Sequence, residues 1–169
     1  MSERRTSNTR PETTRRRFLK DSALLASGAA LGSLALHRSV HAAGTGTIKI
    51  GMIGAGDRCP GAAAQSMAAS PDVKLVAIGD LFEDRVQRAR KNLKDAAVNE
   101  KEFAVEQVAV DDDHLFAGFD AYQRVIESVD VVLIACASKF HPMYAEAAIK
   151  AGKHVFVEKP HAIDPVGVR

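Results

Sequence analysis

The run Thr47-Ile48-Lys49-Ile50-Gly51-Met52-Ile53-Gly54-Ala55-Gly56-Asp57-Arg58-Cys59-Pro60-Gly61 passes from an apolar strand directly into a glycine-rich turn. Thr47 to Ile53 alternates into an apolar run and stops at glycine, which marks a strand end. Gly54 permits a tight turn, and Gly56 lets backbone approach a diphosphate held at the N-terminus of the next helix. That helix is predicted over Pro60–Ala69, which is Ala-rich and has Pro60 suited to a first turn. Cys59 stands at the third fingerprint position, where glycine is usual, and is small enough for close helix–strand packing. Asp57 is an awkward neighbour for a diphosphate, and Arg58 offsets its charge.

Working outward, Lys74–Ile78 reads as a second strand that ends at Gly79-Asp80, and Asp80 lies 24 residues beyond Gly56. An acid at that spacing accepts hydrogen bonds from ribose hydroxyls and repels a 2′-phosphate, which favours NAD over NADP. Arg85, one turn later, keeps NADP open. The competing reading makes Asp80 a helix N-cap, with Glu83 completing a capping box. Further along, the pattern predicts a helix over Phe82–Leu93, a polar insertion over Asp95–Glu106 and a third strand over Val105–Val110. A helix over Phe119–Glu127, a strand over Val129–Ala135, a helix over Pro142–Ala151 and a strand over His154–Val157 follow. Apolar strands separated by helices imply an α/β fold, a doubly wound parallel sheet covered on both faces. Ligands of such sheets bind at the carboxyl ends of the strands. Two more strand ends, Cys136 to Pro142 and Val157 to His161, therefore join the candidate site, where small Ala137 and Ser138 let backbone pass close to a cofactor.

Gly152-Lys153-His154-Val155-Phe156-Val157-Glu158-Lys159-Pro160 closely resembles the signature of the glucose–fructose oxidoreductase/inositol dehydrogenase/rhizopine catabolism family. The resemblance runs from about Ile48 to Arg169 and includes Gly118 to Tyr122 and Asp164. It implies a Rossmann domain that binds NAD, with NADP possible, followed by an α+β substrate domain. It also implies that Glu158 lines the cofactor pocket and that Lys159 sits near the nicotinamide and the substrate hydroxyl, where it assists proton movement during hydride transfer. Without that context, Lys159 reads as a surface lysine paired with its neighbour. Cys136-Ala137-Ser138 departs from the family's usual Thr-Pro-Pro or Thr-Pro-Asn. His141 matches a position at the start of the next helix, close to the cofactor site, and reads as a cap or packing residue in preference to a catalyst; His161 reads as a loop residue. The expected substrate is a sugar, alditol or sugar derivative, and the complete protein is expected to be a homo-oligomer. Some members of the family act as glycoside hydrolases with tightly held NAD, which is the alternative expectation; a non-catalytic nucleotide-binding module is a third.

Composition narrows the rest. The chain has 169 residues, 46% hydrophobic and 26% charged, within the ordinary globular range. Its net charge of +2 is uneven: residues 1–42 carry eight Lys/Arg against three Asp/Glu, leaving fifteen against eighteen in the remainder. The acidic body gives no reason to expect nucleic-acid binding. Arg15-Arg16-Arg17-Phe18-Leu19-Lys20, a weakly apolar run from Ser22 to Leu36, and Val40-His41-Ala42 come in the order of a cleaved twin-arginine signal. The expectation is export through the twin-arginine translocase to the periplasm, without a stable membrane anchor; an uncleaved amphipathic anchor is the alternative. Cys59 and Cys136 allow one disulfide or two free thiols and no zinc site of their own. Asp111-Asp112-Asp113-His114 reads as a solvated turn, with no metal predicted. The chain stops at Val168-Arg169 inside an expected helix, so residues 43–169 read as an incomplete Rossmann domain whose substrate domain is absent. Alone it is expected to be inactive.

Overall fold

The computed structural model describes residues 46–168, and the export signal read in residues 1–42 lies outside them. Five strands form one all-parallel sheet in the order β3-β2-β1-β4-β5. They are β1 (Ile48–Ile53), β2 (Val73–Asp80), β3 (Leu115–Ala117), β4 (Val131–Ile134) and β5 (His154–Val157). The helices are α1 (Arg58–Ala69), α2 (Glu83–Asn99), α3 (Ala121–Ser128), α4 (His141–Lys150) and the short α5 (Pro165–Val168). The strand order reverses between β1 and β4, which is the switch point of a doubly wound sheet.

Period-two alternation sends successive residues to opposite faces. Ile50, Met52 and Leu133 join the core under α1 and α2, with Cys59, Met67, Val86 and Leu93. Ile53, Val132 and Ile134 join the core under α3 and α4, with Val125, Ile126 and Ala148. Between Ile50 and Gly51 the register against β2 slips by one, leaving Val76 unmatched. That bulge lets Leu75 and Ile78 reach the same face.

Two expectations need correction. Val105–Val110 is not the third strand: Val105–Gln107 is a 3-10 turn, and only Val108 makes an isolated bridge to Leu75. The buried Gln107 side chain explains this. Its Nε2 is shared among the carbonyls of Met67, Ser70 and Val73, each at 2.9 Å, and its Oε1 accepts from the Ala104 N–H. The chain is thereby pinned to the end of α1 while Val108 and Val110 still fill the core. The third strand is Leu115–Ala117, hydrogen-bonded to Ile78–Asp80. Second, α2 continues past Leu93 into the expected polar insertion as far as Asn99, because Ala97 extends the buried stripe Val86, Ala89, Leu93 at helical spacing. Asp112–His114 forms another 3-10 turn, with Asp112 exposed and paired to Arg90.

Candidate functional site

The carboxyl ends of the strands are held level by backbone bonds. Gly54 N–H donates to Gly79, Ala135 N–H to Ile53, Gly118 N–H to Asp80 and Glu158 N–H to Ile134. Loops far apart in sequence therefore emerge along one edge.

At the centre, Gly54 adopts φ +104°, and a Cβ there would lie 2.8 Å from the Cys136 backbone. Only glycine lets the first loop touch the loop after β4. Gly56 differs: a Cβ there would meet no protein atom within 4 Å. The fold does not require glycine at 56; the open space it leaves suits a ligand lying across the loop. Beyond it α1 starts at Arg58, with Asp57 in the cap position and making no side-chain cap bond. First-turn N–H groups left without a side-chain acceptor favour an anion. Asp57 is exposed and Gly56 half-buried at this rim.

On the β2 side, Asp80 spans two loops. Its Oδ2 accepts from Ala55 N–H at 2.7 Å, and its Oδ1 accepts from Phe82 N–H at 3.1 Å. The capping-box reading is corrected, since the cap residue of α2 is Phe82, without a side-chain cap bond. Asp80 instead braces the glycine loop, and it lines a cleft of about 150 Å³. Gly54, Phe82, Arg85, Tyr122, Ala137, Phe140 and Tyr144 are among its walls. Arg85 stacks over the Phe82 ring at 4.9 Å, and the Tyr144 ring stacks on Tyr122 and Phe140. Sequence reasoning missed these aromatics; Tyr122 and Tyr144 stand inside helices and Phe140 in a turn, where nothing in the pattern separates a cleft wall from core.

On the β5 side lies a second cleft, about 420 Å³, lined by Arg58, Ala135, Cys136, His141, Glu158 and Lys159. Arg58 Nη2 meets Glu158 Oε2 at 3.2 Å, joining the start of α1 to the end of β5. His141 is buried, with Nδ1 2.9 Å from the Pro160 carbonyl and Nε2 3.1 Å from the Cys136 carbonyl. Its ring lies between the β4 and β5 loops, with one backbone carbonyl of each beside it. The Lys159–Pro160 peptide is cis, and Lys159 is exposed at the cleft. Ser138 lines neither cleft; its carbonyl accepts the His141 N–H.

Both cysteines are free. Burial, reinforced by Cys136, pushes the Cys59 thiol up to about 12, and burial pushes Cys136 up to about 11. Neither is a thiolate nucleophile near neutral pH.

Two clefts separated by the Gly54–Cys136 contact, with an open glycine and a helix N-terminus between them, fit a two-lobed ligand with an anionic middle. A family described as the oxidoreductase family with an NAD-binding Rossmann fold matches residues 48–168. This chain belongs to that family. It is an NAD-binding Rossmann domain of the glucose–fructose oxidoreductase/inositol dehydrogenase/rhizopine catabolism type. A glycosyl hydrolase family 109 protein of Solibacter usitatus is 33% identical over 155 residues, 89% of this chain and 34% of that one. The scyllo-inositol dehydrogenase of Lactobacillus casei, solved with NAD(H) and scyllo-inositol, is similar with TM-score 0.50 and 28% identity, over 72% of this chain and 31% of that one. The myo-inositol dehydrogenase of the same organism, with NAD(H) and myo-inositol, shares the fold with TM-score 0.55 and 16% identity, over 72% and 31%. The chain thus spans about a third of the length of these relatives.

Proposed function

We propose that this chain is the nucleotide-binding part of an exported oxidoreductase that moves hydride between NAD(P) and a sugar, alditol or sugar derivative. The observation that carries the reading is the β5-side cleft, where Lys159 and Glu158 stand across from the helix N-terminus and next to the Gly54–Cys136 contact. The residues of the β2-side cleft would hold the adenosine, with the Asp80 carboxylate accepting from the ribose hydroxyls. Gly56 and the first-turn N–H groups of α1 would hold the diphosphate, and Glu158 and Lys159 would flank the nicotinamide. When bound, the nicotinamide supplies the hydride acceptor or donor. Lys159 Nζ donates a hydrogen bond to the reacting substrate oxygen and holds or passes its proton. Arg58 and His141 keep the two loops in place. Inositol-binding relatives support a polyol or sugar substrate.

Curated relatives named as glycosyl hydrolases favour a second reading, hydrolysis with retained NAD. The test uses the complete protein with a panel of polyols and glycosides, following NADH and released sugar together. Stoichiometric NADH supports the oxidoreductase; sugar release without net NADH supports the hydrolase. Lys159→Ala is expected to lower turnover about 100-fold or more with NAD still bound. Full turnover in that variant refutes the role of Lys159.

A further inference from the structure

The Arg58–Glu158 contact spans the β5-side cleft, and it is the one ion pair among the described residues that lines either cleft. We infer that this pair sets the relative affinity of the protein for oxidised and reduced nicotinamide. The inference rests on the nicotinamide lying beside Glu158.

An oxidised nicotinamide ring is cationic and a reduced one is neutral, while the rest of the dinucleotide is the same. A lone Glu158 carboxylate at the cleft would therefore favour the oxidised ring. Arg58, 3.2 Å away, cancels most of that field. Lys159 adds a cation on the same wall, and His141 is tied to two backbone carbonyls. Asp80 faces the other cleft, beyond the Gly54–Cys136 contact. Glu158 is the more buried partner, with 19% side-chain exposure against 48% for Arg58. Loss of Arg58 therefore leaves the better-shielded charge uncompensated. An unpaired charge in such a partly wet cleft, discounted for the exposure of Arg58, changes a charge-dependent affinity ratio by about fivefold. For a two-electron couple that is about 20 mV in the potential of the bound cofactor.

The test measures dissociation constants for NAD+ and NADH by calorimetry on the complete protein. Arg58 also lies near the expected diphosphate, so Arg58→Gln weakens both nucleotides, and only the ratio is diagnostic. In Arg58→Gln, NAD+ is expected to gain about fivefold on NADH. In Glu158→Gln, which leaves the arginine unpaired, the ratio is expected to move in the opposite direction. The double variant returns it close to wild type, and Arg58→Lys keeps it there because the charge is retained. Single variants that leave the ratio unchanged, or shifts that do not cancel in the double variant, overturn the inference while nucleotide binding itself stands. A wild-type protein that binds neither nucleotide overturns the functional proposal, and this inference with it.

Discussion

Gly54 and Gly56 stand two residues apart in the same loop, yet replacing each with alanine should break different things. At Gly54 the backbone is at φ +104°, where an L side chain is strained, a cost of about 1–3 kcal/mol. The new methyl would also lie 2.8 Å from Cys136 Cα and N and 2.9 Å from Ala135 C. All three are backbone atoms, so β4 or the loop must move, which costs about 1–3 kcal/mol more. Gly54→Ala is therefore expected to destabilise the protein by about 2–6 kcal/mol, the sum of the two. At Gly56 the methyl meets nothing, and stability should change by no more than about 0.5 kcal/mol. Its cost should appear instead in NAD affinity, because the methyl occupies space assigned to the diphosphate. Urea unfolding of the free protein reads the first effect as a lower midpoint at unchanged slope. Calorimetric titration with NAD+ reads the second. A Gly56→Ala protein that binds NAD+ as tightly as wild type would refute the placement of the ligand across this loop. A Gly54→Ala protein of wild-type stability would refute the close contact between the two loops.

Two further outcomes follow from the packing around the site. Gln107→Leu strips the carbonyls of Met67, Ser70 and Val73 and the Ala104 N–H of their buried partner, so a loss of about 2–4 kcal/mol is expected in urea unfolding. An unchanged midpoint would show that these groups find other partners. The thiols of Cys59 and Cys136 rise from an ordinary 9.0 to about 12 and about 11, so the folded state holds protons that the unfolded state releases. Stability should be full below pH 9 and fall as pH rises toward 12, with alkylation of the native protein slow at pH 8 and fast after unfolding. Fast native labelling of Cys59 would contradict its burial.

The apolar strands were legible because each is marked by a break: Gly54 after β1, Gly79-Asp80 closing β2, Glu158 after β5. Parallel pairing leaves such strands apolar on both faces, so they stand out as blocks. The third strand was not legible. Leu115–Ala117 is three residues long behind an aspartate run, while Val105, Val108 and Val110 mimic a strand. What decides between them is the Gln107 side chain reaching carbonyls 34 to 40 residues away, a tertiary fact with no local signature. The role of Asp80 was half legible: spacing placed it at the strand end. Its bond to Ala55 across 25 residues emerges only once β1 and β2 lie side by side.

That last bond shows why the site sits where it does. Parallel strands all point their carboxyl ends the same way, so every loop that follows a strand opens on one edge. At the β1/β4 switch point the neighbouring helices go to opposite faces, and the loops part to leave a crevice. Here the crevice floor is the Gly54–Cys136 contact, its β2 wall is braced by Asp80, and its β5 wall is closed by Arg58 on Glu158. Each brace joins the first loop to a different neighbour. The glycine loop is thus the common member of both walls, and a change that loosens it should weaken both lobes of the ligand at once.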